Sequence, residues 1–148
     1  MILGLNSCKD KVEPDGIQED TIKLSTTELT INSNGGIETV TSEGKYWHIE
    51  HSICIGEKWY GIGTDNGVEW YLFFGTEGNY EKFVVEMDSL STYNIVKIKG
   101  PWFTISKETS QSITFSILPN TTENVRTLIL NIHDRNYGTG IIVTQTAE

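Results

Sequence analysis

The sequence predicts an all-β, immunoglobulin-like antiparallel β-sandwich. Short runs rich in β-branched and aromatic residues recur at roughly ten-residue spacing. Clusters of Gly, Asn, Asp and Ser bound them, as turns require. No window longer than about a turn and a half carries the 3.6-residue period of an amphipathic helix.

The elements follow in order. Glu28-Leu29-Thr30-Ile31-Asn32 alternates and stops at the turn Asn34-Gly35-Gly36. Ile37 to Thr41 is the next strand, closed by Ser42-Glu43-Gly44-Lys45. Tyr46 to Ile55 comes third, with Trp47, Ile49, His51 and Ile53 on one face. The last part of the chain predicts strands at Trp102–Ser106, Ile113–Leu118, Val125–His133 and Gly140–Thr146, with a hairpin loop at Asp134–Gly138. Trp102, Ile105, Phe115, Ile117, Leu128, Leu130, Ile132 and Ile142 are the expected core of that part.

The middle, about residues 56 to 99, differs in texture. It holds nine of the fifteen aromatic residues and reads as an extra aromatic-rich β-hairpin insertion. Trp59-Tyr60 falls in a Gly-bounded loop, and Gly61 to Gly67 reads as a hairpin turn. Strands are expected at Glu69–Phe74, Lys82–Met87 and Tyr93–Ile98.

Bulk properties bound the function. At 148 residues the chain is one domain, large enough for a core without disulfides or metal. A net charge of −9 and a pI near 4.7 argue against nucleic acid, which needs clustered Lys and Arg. The two cysteines, Cys8 and Cys54, are too few and too far apart for a disulfide framework. Cys54 reads as a small buried hydrophobe.

The start of the chain suggests export. Leu5-Asn6-Ser7-Cys8 resembles a bacterial lipoprotein cleavage site, with residues 1–8 as the end of a signal and its anchor cysteine. Residues 9–20 read as a flexible tether, and 21–148 as the sandwich. The expected location is the outer membrane or cell surface, with Cys8 as lipid anchor and the only membrane contact.

With strands and turns placed, the two ends resemble a BACON domain, a Bacteroidetes-associated module held to bind carbohydrate. The resemblance rests on Asn34-Gly35-Gly36, on Trp47-His48-Ile49 and on Trp102-Phe103-Thr104-Ile105-Ser106. Pro119-Asn120-Thr121-Thr122-Glu123-Asn124-Val125-Arg126-Thr127 and the closing Ile142-Val143-Thr144-Gln145 complete it. It covers about residues 27–53 and 100–146 and implies a small immunoglobulin-like sandwich at the bacterial surface. In the family a short loop separates the two Trp-bearing strands. Here the aromatic-rich middle stands between Trp47 and Trp102.

Chemistry is sparse. His48-Ile49-Glu50-His51 has metal-ligand residue types, but strand alternation puts His48 and Glu50 on one face and His51 on the other. They converge only if a bulge intervenes, and His133 is isolated on another strand, so no metal and no cofactor are expected. There is no nucleophile elbow, no supported Cys–His pair and no phosphate loop, so the chain reads as non-enzymatic.

Aromatics are the remaining signal. Indole and phenol rings stack on the apolar faces of sugars while nearby polar groups take the hydroxyls. Trp59, Tyr60, Trp70 and Tyr71 are the candidate ligand-binding residues, with Asp65, Asn66 and Glu69 within reach of hydroxyls. Such binding is expected to depend little on salt. The expected partners are a glycan or other surface proteins, and the alternative use is as a structural spacer or protein-interaction domain.

Overall fold

Eleven strands form two packed sheets in a computed structural model that describes residues 18–65, 69–73, 83–135 and 137–148. They are β1 (Glu28–Ile31), β2 (Gly36–Thr41), β3 (His48–Ile55), β4 (Lys58–Asp65), β5 (Glu69–Phe73) and β6 (Val84–Asp88). Then come β7 (Ser91–Lys99), β8 (Phe103–Thr109), β9 (Ser112–Ile117), β10 (Arg126–His133) and β11 (Gly138–Gln145). One sheet runs β1-β11-β10-β3-β4-β5 and the other β2-β9-β8-β7-β6. The architecture is the immunoglobulin-like sandwich that the spacing of turns predicts, and among the described residues there is no helix.

Pairing is antiparallel except at one edge. β1 lies parallel to β11, with Leu29 opposite Val143. Period-2 alternation buries one face of each strand. In β9, Ile113, Phe115 and Ile117 point in, and in β8 Phe103 and Ile105 do. Facing them, Ile49 and Ile53 of β3, Leu128, Leu130 and Ile132 of β10, and Ile141 and Val143 of β11 close the core.

β11 corrects one expected core residue. Ile142 is half-buried and its neighbours Ile141 and Val143 point inward. A strand flips every side chain with a one-residue shift, and the run Gly140-Ile141-Ile142-Val143 offers apolar residues to both faces. Trp102 also sits at the core margin, ahead of β8, its ring 5.2 Å from Phe103 and covered by Arg126 at 5.5 Å.

The middle segment is the β-hairpin insertion that its texture predicts, and it consists of two hairpins, β4–β5 and β6–β7. Its four strands continue both layers, with β4 and β5 extending one sheet and β6 and β7 the other. β4 is a full strand where a loop was expected, because pairing with β3 and β5 supplies the ladder that Gly61 and Gly63 disfavour locally. Tyr60, Ile62, Phe83, Val85, Ile95 and Ile98 from this segment join the common core.

Buried amides tie the loops at the far end. Asn120, 1% exposed, donates from Nδ2 to the carbonyls of Asn124 and Thr146, and its Oδ1 accepts from Thr122. Gln145, fully buried, donates from Nε2 to the carbonyl of Leu118 at 2.8 Å and toward those of Asn32 and Ser33. The turn between β1 and β2 requires Gly35, whose φ is +78° and whose Cα faces the Ile117 carbonyl too closely for a side chain.

Candidate functional site

A cleft of about 650 Å³ lies at one end of the sandwich. Lys45, Tyr46, Trp47 and His48 line it from the start of β3, and Asp134 and Arg135 from the β10–β11 connection. Asn94 of β7 and Lys107 of β8 reach it from the other sheet. The cleft therefore needs both layers.

Its floor is Trp47, 3% exposed. The indole N–H donates to Ser42 Oγ at 2.7 Å, and that hydroxyl donates to the Gly44 carbonyl. Lys107 Nζ sits 4.1 Å above the indole centroid and donates to the Trp47 carbonyl at 2.6 Å. Half-buried in this way, Lys107 has its pKa lowered by desolvation, with Asp88 opposing.

The rim is Tyr46, 92% exposed. The turn before it is fixed from three sides. Gly44 N donates to the Ile22 carbonyl, Glu43 N to the Lys23 carbonyl, and Gln111 Nε2 to the carbonyls of Ser42 and Glu43. The opposite wall is held too, since Asp134 accepts from Tyr137 N through Oδ1 and from the Thr21 hydroxyl through Oδ2. An exposed ring on a rigid turn loses little freedom when a ligand stacks on it.

Beside this cleft lies a second depression of about 480 Å³, lined by His48, Glu50, His51, Ser52, Asn94 and His133. All three histidines of the chain meet there. His48 and His133 are directly opposite in the β3–β10 register, with ring centroids 3.9 Å apart. The Glu50 carboxylate lies 3.1 Å from His133 Nδ1, close enough for charge attraction but outside hydrogen-bond geometry. His133 is thus not isolated, and the bulge that strand alternation demanded exists. Two residues from Leu130 to Ile132 on β10 span four from Ile53 to Ile49 on β3. Burial lowers the His48 pKa first, and His133, Lys107 and His51 add to it, with Asp134 opposing. Among the described residues, no set of three or more His, Cys, Asp or Glu side chains is arranged to hold a metal ion.

Of the expected ligand-stacking residues, Trp59 and Tyr60 have described side chains. Tyr60 is 7% exposed, its ring 5.8 Å from Phe83, so it packs the core and offers no surface for stacking. Trp59 is half-buried on β4, opposite Cys54 in the register. Trp70 and Tyr71 lie on β5 opposite Thr64 and Gly63, and Asp65 pairs with Glu69. Asn66 and Cys8 lie outside the described residues.

The chain shares its fold with a protein from Bacteroides thetaiotaomicron. That solution NMR structure superposes with a TM-score of 0.56 at 18% identity, over 94% of this chain and 97% of the other. A Bacteroides ovatus GH5 xyloglucanase, solved with a XXXG heptasaccharide, aligns at a TM-score of 0.42 and 14% identity. That alignment takes in 86% of this chain and 19% of the enzyme. No protein-family model and no curated protein sequence matches the chain.

Tyr46 was legible only as the first residue of a strand after a turn. Lys107, Asp134 and Arg135 arrive from elements more than fifty residues away, so no local motif announces the cleft. The cleft brings one exposed aromatic ring together with an array of side-chain donors and acceptors.

Proposed function

We propose that this protein is a non-catalytic, lipid-anchored module of the bacterial surface that binds carbohydrate in the Tyr46 cleft. The observation that carries the reading is the 92% exposed Tyr46 ring, held by a braced turn beside Lys45, His48, Asn94, Lys107, Asp134 and Arg135. A pyranose stacks on such a ring while these side chains take its hydroxyls. The BACON-like motifs and the cleavage-site pattern at Cys8 support a surface location.

The test is binding of the protein to a panel of polysaccharides, with Tyr46→Ala beside it. Removing a solvent-exposed ring leaves the fold intact, so Tyr46→Ala should retain its melting temperature and lose at least about fivefold in affinity. Unchanged binding of that variant would overturn the site. For the anchor, the protein made with a complete signal should partition into detergent, and Cys8→Ala should release it.

A spacer is the second reading. It is favoured by Tyr60, Ile62, Phe83, Val85, Ile95 and Ile98, which knit the middle segment into the common core. Absence of binding to every polysaccharide would select it.

A further inference from the structure

The Tyr46 cleft carries a charge opposite to that of the chain. The protein has a net charge of −9, yet three cations, Lys45, Lys107 and Arg135, line this one recess with a single carboxylate, Asp134. The ion pairs among the described residues are Lys23–Glu43, Lys97–Glu86 and His133–Glu50. None of the three cleft cations has a carboxylate within ion-pair distance there. Asp88 acts on Lys107 only from farther off. Asp134 spends both oxygens on its own loop and on Thr21. An ammonium has three donors, and Lys107 gives one to the Trp47 carbonyl. The other two have no carboxylate to meet.

We infer that the cleft selects an anionic sugar, one bearing a carboxylate or a sulfate ester that sits among Lys45, Lys107 and Arg135 while its ring stacks on Tyr46. This rests on the carbohydrate reading above and adds the ligand's charge. The acidic surface elsewhere does not prevent it. At physiological salt the screening length is about 8 Å, so distant carboxylates are damped while cations touching the ligand are not. Salt-insensitive stacking, the expectation from the aromatics alone, is replaced by stacking with charge pairing.

The experiment is calorimetric titration of the protein with four probes: an oligogalacturonate, a sulfated galacto-oligosaccharide, the matching neutral galacto-oligosaccharide and inorganic sulfate. Each is run at about 0.15 M and about 1 M NaCl, where the screening length falls to about 3 Å. One or both anionic sugars should bind at least about tenfold tighter than the neutral one, and the excess should vanish at high salt. Which of the two binds names the anion. Arg135→Glu and Lys45→Glu should erase the preference, bringing anionic-sugar affinity down to or below that of the neutral sugar, without changing the melting temperature. Equal binding of neutral and anionic sugars overturns the charge selection and leaves the carbohydrate reading standing. Inorganic sulfate binding as tightly as the sulfated sugar overturns the sugar part of the inference. No binding of any sugar overturns both.

Discussion

Lys107 Nζ lies 4.1 Å above the Trp47 indole and 2.6 Å from the carbonyl oxygen of the same residue. One amine thus joins β8 of one sheet to the start of β3 in the other and closes the floor of the cleft. Lys107→Met keeps the aliphatic stem but loses the cation over the ring and leaves the carbonyl without its donor. We expect a loss of about 1–2 kcal/mol in urea denaturation. No loss would mean that desolvating the amine cancels both contacts.

His48 makes stability depend on acidity. Its folded pKa is lowered, chiefly by burial, below the ordinary imidazole value. Below that ordinary value the unfolded chain takes up a proton that the folded chain resists, so stability falls as pH drops through about 6.5. Unfolding free energies measured from pH 7 to pH 5 should decline in the wild type and decline less in His48→Gln. Parallel curves would remove His48 as the cause.

The buried amides set the cost of opening the far end. Gln145→Leu fills the same space without the donor that three carbonyls share, and should cost about 2–4 kcal/mol. Asn120→Ala strips both sides of its loop network and should cost a similar amount. A loss below about 1 kcal/mol for either would show water taking over those bonds.

Core parity is tested on neighbouring residues. Phe115→Ala should cost about 3–5 kcal/mol, since the ring is fully buried between the sheets. Ile141→Ala should cost about 2–4 kcal/mol, and Ile142→Ala clearly less, because only the first points into the core. Equal costs would contradict the register of β11.

The sequence by itself determined the class of fold and most of its strands. Alternation in Ile113-Thr114-Phe115-Ser116-Ile117 and turns such as Asn34-Gly35-Gly36 are local signals, carried by side-chain period and backbone freedom. Only the tertiary structure decided how the middle segment divides between two sheets, which face of β11 is buried, and that Tyr60 is core. Those outcomes depend on pairing partners, and β4 becomes a strand against its glycines because β3 and β5 flank it. The candidate site is more extreme still. Tyr46, Lys107 and Arg135 lie far apart in sequence and meet only when two sheets pack. His48 and His133 adjoin only through a ladder that a bulge shifts by two residues. A strand's period reports where its side chains point, but not what waits there.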